Sequence, residues 1–190
     1  MNDVYTGILL AAGQGKRFGA DKLLHPLADG TPLALAAARQ LQAALPHSIA
    51  VVADTEGELA RHLAWLGLQV VANPQAAQGM GTSIACGVAA SSTARGWVIA
   101  LADMPWVPPA VIRAVADALA QGAAIAAPAC RGRRGHPVGF AACHGAALQQ
   151  LRGDAGARVI IAAHRASLQL IETAEQGVLL DIDVPASLPT

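Results

Sequence analysis

Short apolar runs alternate with amphipathic stretches along the whole chain. Apolar runs of four to eight residues that end in turn residues indicate buried strands. The pattern predicts strands over residues 5–11, 49–53, 68–72, 97–101 and 138–142, another that begins at Ile125, and a last one over 168–171. It predicts helices over residues 32–45, 56–66, 80–90, 108–121 and 155–164.

This alternation predicts the fold class. Strands joined by helices form right-handed crossovers, which give a mainly parallel sheet with helices on both faces. We therefore expect an α/β three-layer sandwich and one domain over residues 1–190. Thr31 is the predicted cap of the first long helix, with Pro32 at its first position. Ligands of such sheets bind beyond the carboxyl ends of the strands, so the segments that follow strands are the candidate sites.

Composition excludes several classes of protein. Aromatic residues make up only 3% of the chain although 54% of it is hydrophobic, so small and branched aliphatic side chains should build the core. A net charge of zero argues against a nucleic-acid or anionic-membrane surface. No apolar run approaches the roughly 20 residues that span a bilayer, and the first residues lack a secretory pattern, so we expect a cytoplasmic protein. Cys86, Cys130 and Cys143 are expected to be small buried or half-buried residues.

The loop after the first strand is rich in glycine and basic residues. Gly13, Gly15 and Gly19 would let backbone N–H groups approach phosphate oxygens closely. The chain has two lysines, Lys16 and Lys22, and both lie in this loop beside Arg17. The glycine spacing fits neither a Walker loop nor a dinucleotide fingerprint. The loop is therefore interpreted as a site for the phosphates of a nucleotide.

A second loop, residues 73–83, follows a strand and precedes a helix. Its small residues leave room for a flat base, whose edge would meet Gln78 and the loop amides. Thr82 or Ser83 is expected to cap the following helix.

Two acidic segments are candidates for a metal site. Asp103 ends a buried strand, and one or two carboxylates beside phosphates are typical of Mg2+ sites. Asp181 and Asp183 alternate in an extended segment, so both carboxylates would face the same side. A solvated aspartate at a strand end is the alternative for Asp103, and Asp181 is interpreted as structural.

The segment 131–137 is basic and is interpreted as a flexible loop that would receive the phosphate of an acceptor. For Arg131 and Arg133 a solvated position is the favoured interpretation. Asp154 is expected to act as a helix N-cap.

Five segments, taken together, resemble the nucleotidyltransferases with a MobA-like fold, in particular the molybdenum cofactor cytidylyltransferases. They are Leu10-Ala11-Ala12-Gly13-x-Gly15-x-Arg17-x-Gly19-x-x-Lys22, Gly79-Met80-Gly81-Thr82-Ser83, Leu101-x-Asp103-x-Pro105, Gly135-His136-Pro137 with Gly153-Asp154-Ala155-Gly156-Ala157-Arg158, and Asp181-x-Asp183-Val184-Pro185. The family usually has threonine at position 184. Its members that use GTP usually have Gly-Gly where this chain has Ala12-Gly13, so the resemblance favours CTP.

The resemblance implies a Rossmann-like nucleotidyltransferase fold and roles for individual residues. Lys22, Arg17 and Asp103 would be catalytic, Asp103 and Asp183 would bind Mg2+, and His136, Asp154 and Arg158 would bind the acceptor. The nucleotide-binding residues would be Leu10, Ala11, Ala12, Gly13, Gly15, Lys22, Gln78, Gly79, Gly81 and Thr82.

The implied reaction transfers CMP from CTP to a molybdopterin-type cofactor and releases pyrophosphate. A molybdenum hydroxylase would be a further partner of such an enzyme. Three alternatives remain open at this point: the same transfer to a sugar, alditol or choline phosphate or from GTP, a glycosyltransferase suggested by the D-x-D at 181–183, and a non-catalytic nucleotide-binding accessory protein. Intact Lys22, Asp103 and Asp183 argue against the last of these.

Overall fold

The fold is a mixed α/β sandwich around one sheet. It is given by a computed structural model that describes residues 5–13 and 22–182. Within these ranges the strands are β1 (Tyr5–Leu10), β2 (Ser48–Val52), β3 (Gln69–Ala72), β4 (Gly96–Leu101), β5 (Ile125–Cys130), β6 (Arg133–Arg134), β7 (Val138–Ala141) and β8 (Leu168–Glu172). Their order in the sheet is β3-β2-β1-β4-β7-β5-β6, and β8 also pairs with β5.

Most of the sheet is parallel, as the sequence predicts. β1 pairs in parallel with β2 and β4, β2 with β3, and β5 with β8. Two strands are exceptions. β7 lies antiparallel between β4 and β5, and β6 forms an antiparallel hairpin with β5. The basic segment after β5 therefore belongs to the sheet, and the expectation of a flexible loop there was wrong. Its turn is made by Arg131 and Gly132, both with positive φ.

Helices cover both faces of the sheet. They are α1 (Leu33–Ala44), α2 (Glu58–Trp65), α3 (Met80–Ala90), α4 (Pro109–Ala120), α5 (Gly145–Gln149) and α6 (Arg158–Ala163). Buried residues of α1, α2 and α4 form one apolar cluster, and those of α3, α5 and α6 form the other. Successive residues of a strand face opposite sides, so in β1 Leu9 packs into the first cluster and Ile8 into the second. The three-layer arrangement that the sequence predicts is confirmed.

Three local expectations were wrong. α1 begins at Leu33 with Pro32 as its N-cap, so Thr31 does not cap it. The helix expected from residue 155 begins at Arg158 with Ala157 as its N-cap and no side-chain cap, so Asp154 is not a helix cap. Cys143 is exposed, whereas Cys130 is buried and Cys86 half-buried.

The helices in the described ranges are all too short or too polar to cross a membrane.

Candidate functional site

The carboxyl ends of β1, β3 and β4 meet at one edge of the sheet. The first residues beyond the strands extend the ladder there. The N–H of Ala11 donates to the carbonyl of Val51 (2.8 Å), and the N–H of Ala102 donates to that of Leu10 (3.2 Å). The loops that follow the three strands are held side by side, because parallel strands end at the same edge.

A cleft with a volume of about 300 Å³ lies between these loops. Seven residues that the sequence predicts to be functional line it: Leu10, Ala12, Gly13, Lys22, Gly79, Asp103 and Asp154. The remaining lining residues are Leu23, Ala76, Ala77, Met80, Ser83 and Leu101. The walls are thus mostly small and apolar, with one lysine and two aspartates among them.

Lys22 and Asp103 are in direct contact. Lys22 opens a single 3-10 turn, Lys22–Leu24, and its Nζ donates to Oδ2 of Asp103 at 2.9 Å across 81 residues of sequence. The lysine side chain is 10% exposed and the aspartate side chain 25% exposed. The group predicted to neutralise phosphate charge therefore lies beside the group predicted to bind a metal ion, within reach of one nucleotide tail.

The C-terminal segment also reaches the neighbourhood of Asp103. The N–H of Ile182 donates to the main-chain carbonyl of Asp103 at 3.1 Å. Asp183 follows directly in sequence, but it lies outside the described residues, as do Gly15 and Arg17. Their predicted roles remain predictions.

Within the described ranges there is no group of three or more His, Cys, Asp or Glu side chains that would hold a metal ion. Mg2+ needs fewer protein ligands than this, since one or two carboxylates together with phosphate and water oxygens complete its coordination shell. Asp103 fits this chemistry, because its bond to Lys22 uses Oδ2 and a quarter of its side chain is exposed at the cleft.

Asn73 organises the second loop. Its side-chain Nδ2 donates to the hydroxyls of Thr82 (2.9 Å) and Ser83 (3.0 Å), and its Oδ1 accepts from the N–H of Gln75 (3.0 Å). Sequence reasoning assigned no role to Asn73. An asparagine directly after a strand, at the start of a turn, is the signal that would have found it.

Thr82 has a structural position. Its hydroxyl is buried, lies 2.8 Å from the carbonyl of Gly79 and 3.0 Å from that of Gln75, and is absent from the lining of the cleft. α3 begins at Met80 with Gly79 as its N-cap and no side-chain cap, so neither Thr82 nor Ser83 caps it. Ala11 is buried, Gln78 is exposed, and neither lines the cleft.

Gly79 and Gly81 bring a distant segment to the cleft. Gly79 has a φ of 111°, a conformation that favours glycine, and a Cβ there would collide with the backbone of Gly153 and the carboxylate of Asp154. The N–H of Gly81 donates to the carbonyl of Gly153 at 2.9 Å. These close approaches explain why Asp154 lines the cleft.

We expect Gly81→Ala to destabilise the protein. A Cβ at this position would lie 2.9 Å from main-chain atoms of Arg152, so the 152–154 segment must move away from α3. Overpacking of this kind costs roughly 1–3 kcal/mol in the free energy of unfolding. Urea unfolding of the variant and of the wild type measures it. Wild-type stability in Gly81→Ala would contradict the tight contact.

His136, predicted to bind the acceptor, lies one strand away from Asp103. β7 pairs with β4, and His136, just before β7, lines a small pocket together with Leu101, which also lines the cleft. The main-chain N–H of His136 donates to the carbonyl of Val178 at 2.9 Å. The peptide bond between His136 and Pro137 is cis. Arg158 is exposed at the start of α6 and is not in the cleft lining.

Burial, followed by repulsion from Arg134 and Arg158, lowers the pKa of His136 from 6.5 to about 4, and Asp181 offsets only part of this. Between these two values the unfolded chain binds a proton that the folded protein does not. Stability should therefore rise with pH from about 4 and level off above 6.5, with about 3 kcal/mol lost on acidification through the whole window.

Urea unfolding between pH 7.5 and 5 tests this expectation. His136→Asn should flatten the dependence, although not completely, because burial also lowers the pKa of His144 and acts in the same direction. An unchanged pH slope in His136→Asn would contradict the assignment.

Comparisons with known proteins agree with this architecture. The family model described as "MobA-like NTP transferase domain" matches residues 7–168. The chain is 30% identical over 188 residues to "Nicotine blue oxidoreductase" of Paenarthrobacter nicotinovorans, covering 94% of this chain and 91% of that one. It is also 30% identical over 193 residues to "Purine catabolism protein PucB" of Bacillus subtilis strain 168, with the same coverage of both chains.

Solved structures share the fold. Rv0371c of Mycobacterium tuberculosis H37Rv superimposes with a TM-score of 0.82 at 24% identity, covering 98% of this chain and 96% of that one. A second structure of that protein, its complex with manganese, superimposes with a TM-score of 0.72 at 22% identity and covers 100% of this chain and 95% of that one.

Proposed function

Since the chain belongs to the MobA-like NTP transferase family, we propose that it transfers CMP from CTP to a molybdopterin-type cofactor and releases pyrophosphate. One observation carries the proposal: Nζ of Lys22 lies 2.9 Å from the Asp103 carboxylate in a cleft built from the loops after β1, β3 and β4. At this distance the ammonium of Lys22 could contact a phosphate of the nucleotide while the Asp103 carboxylate binds the metal ion that accompanies it.

The proposed step is an in-line displacement at the α-phosphorus. An oxygen of the acceptor's phosphate forms the new bond to phosphorus, the bond from the α-phosphorus to the bridging oxygen breaks, and that oxygen leaves with pyrophosphate. Both reactants are anions, so orientation and charge neutralisation supply most of the catalysis. No general base is needed, because the attacking phosphate is already ionised near neutral pH.

Each side chain has a proposed part in this step. Lys22 neutralises charge that develops at the α-phosphoryl group, and Arg17 holds the departing pyrophosphate. Asp103, with Asp183, would hold Mg2+, which would supply countercharge to the phosphates. The manganese complex of the structurally similar mycobacterial protein supports a divalent ion in this fold.

The nucleotide and acceptor contacts are proposed on the same basis. The loop 73–79 would receive the base, with Gln78 at its edge, and Ala12-Gly13 in place of Gly-Gly favours cytosine. His136 and Asp154 would meet the acceptor. Asp154 lines the cleft, and His136 lines a small pocket together with Leu101, which also lines the cleft.

An assay with α-labelled nucleotides tests the proposal. The purified protein is incubated with Mg2+ and each of CTP, GTP, ATP and UTP, with molybdopterin or with a sugar, alditol or choline phosphate. We expect labelled dinucleotide and pyrophosphate with CTP and molybdopterin. Pyrophosphate from another pair would replace the substrate assignment, and no acceptor-dependent pyrophosphate from any pair would overturn the transferase assignment.

One relative bears the name of an oxidoreductase, which makes hydride transfer a second candidate function. The same assay therefore includes NADH and NADPH with a quinone dye. Oxidation of either cofactor without pyrophosphate release would favour that candidate.

A further inference from the structure

Two polar atoms beside the cleft are buried without a partner. Nη1 of Arg134 and Nδ1 of His136 have no hydrogen-bond partner anywhere in the described ranges. A buried polar atom normally has one, because an unmade bond leaves the cost of desolvation uncompensated. Two such atoms only two residues apart indicate a ligand that bonds to both.

The hairpin fixes Arg134 in place. Arg134 pairs with Ala129 across the β5–β6 ladder, and the N–H of Gly135 donates to the carbonyl of Pro128 at 2.8 Å. Gly135 itself packs so closely on Val178 that a Cβ would collide with the Val178 carbonyl. The guanidinium is therefore presented by rigid backbone, which favours a built binding site over a mobile surface residue.

The charge around these atoms is positive and poorly balanced. Burial, and then repulsion from Arg158, lowers the pKa of Arg134, yet a guanidinium remains charged at neutral pH. Arg158 also repels a proton on His136, so the three basic side chains share one electrostatic environment. Asp181 raises the pKa of His136 in part, and it is exposed. An anion between the arginines would relieve this repulsion.

The cluster adjoins the catalytic cleft from two sides. His136 and Leu101 line one small pocket, and Leu101 lines the cleft together with Asp103. From the other side, Asp154 lines the cleft and Arg158 follows it on the same segment, which packs on α3 through Gly81 and Gly153. An anion held here would be presented to the nucleotide site.

We infer that Arg134 and Arg158, together with the unpartnered ring nitrogen of His136, form a site for the phosphate of a phosphomonoester. Planar guanidinium groups match phosphate geometry with two parallel bonds, and two arginines suit a dianion. The anion site stands on the cluster alone. Its assignment to the acceptor's phosphate rests on the proposed function.

Inorganic phosphate is the probe for this site. Thermal unfolding of the full chain is followed against phosphate concentration, with chloride at matched ionic strength as the reference. Arg134→Gln should weaken the apparent affinity for phosphate at least about tenfold, as expected for the loss of a charge-assisted contact. Arg158→Gln should do the same, and because Arg158 is exposed this variant also covers the case in which Arg134→Gln does not fold.

Two further variants separate this site from other phosphate binding. Arg133→Gln removes the same charge from the same hairpin, and because Arg133 is exposed it should bind phosphate like the wild type. Lys22→Ala removes the nucleotide site's cation and should keep the phosphate effect. Equal weakening by Arg133→Gln and Arg134→Gln, or wild-type affinity in both Arg134→Gln and Arg158→Gln, would overturn the inference.

The outcome is distinguishable from failure of the proposed function. If the transferase assay fails while phosphate binding depends on Arg134 and Arg158, the anion site stands and only its acceptor assignment falls. If the transferase assay succeeds, Arg134→Gln should raise the KM for the acceptor and leave the KM for CTP within about twofold. A change in the KM for CTP alone would contradict the assignment to the acceptor's phosphate.

Discussion

Lys22→Ala is expected to lower turnover by roughly 100-fold or more, the loss typical of one preorganised charge contact in a transition state. The Lys22 side chain is 10% exposed and its ammonium group is fixed by a 2.9 Å bond to Asp103, so its position needs little reorganisation when charge develops. A buried cation also acts through a lower dielectric than water, which strengthens its effect on a nearby phosphoryl group. The measurement is single-turnover transfer of label from CTP.

Two further variants show whether the charge or the packing of Lys22 matters. Lys22→Met keeps the aliphatic length and should lose nearly as much activity as Lys22→Ala. Arg113→Met also removes one positive charge, but Arg113 is exposed on α4 and donates to the carbonyl of Ala43, so it should retain wild-type turnover. Turnover of Lys22→Met within a few-fold of wild type would remove Lys22 from the mechanism.

The layered fold and the location of the site were predictable because both depend on local patterns. A continuous apolar run predicts a buried strand such as β4, and Asp103 follows it in sequence whatever the rest of the chain does. Parallel strands place their following loops at a common edge, so the sequence also implies that the loops bearing Lys22 and Asp103 lie near each other. Their direct ion pair is a detail that only the packing of the 3-10 turn determines.

The errors concern residues whose surroundings come from distant parts of the chain. Asp154 has the chemistry of a helix cap, but the close approach of Gly79 and Gly81 draws its segment to the cleft instead. Thr82 is turned inward by Asn73, nine residues earlier, so its hydroxyl was wrongly expected to cap α3.

The basic hairpin shows the same limit. Its arginines look alike in sequence, and a solvated loop is the simpler interpretation. Once β6 pairs with β5, neighbouring residues face opposite sides, which leaves Arg133 exposed while Arg134 has a buried nitrogen. The antiparallel insertion of β7 was equally hidden, because an apolar run does not report the direction of its partner.

Asp103→Ala should lower both turnover and stability, which separates it from Lys22→Ala. We expect turnover to fall roughly 100-fold or more, since the variant removes a proposed ligand of Mg2+ and the partner that orients Lys22. It also leaves the ammonium of Lys22 buried without its carboxylate, at a cost of about 1–3 kcal/mol in the free energy of unfolding once the partial exposure of Asp103 is allowed for. Lys22→Ala should cost less, because the aspartate left behind is the more exposed partner.

Asp103→Asn separates the two effects of this change. The amide keeps a hydrogen-bond acceptor for Lys22 and should restore most of the stability, but it carries no charge for a metal ion, so turnover should stay low at all Mg2+ concentrations. The double variant Lys22→Ala with Asp103→Ala should be only slightly slower than either single variant, because the two groups act on the same phosphate charge as a unit. Urea unfolding and single-turnover transfer measure both quantities on the same samples. Full additivity of the two rate losses would mean that Lys22 and Asp103 act independently and not as a unit. Near-normal turnover in Asp103→Asn would mean that the carboxylate stabilises the fold without taking part in the reaction.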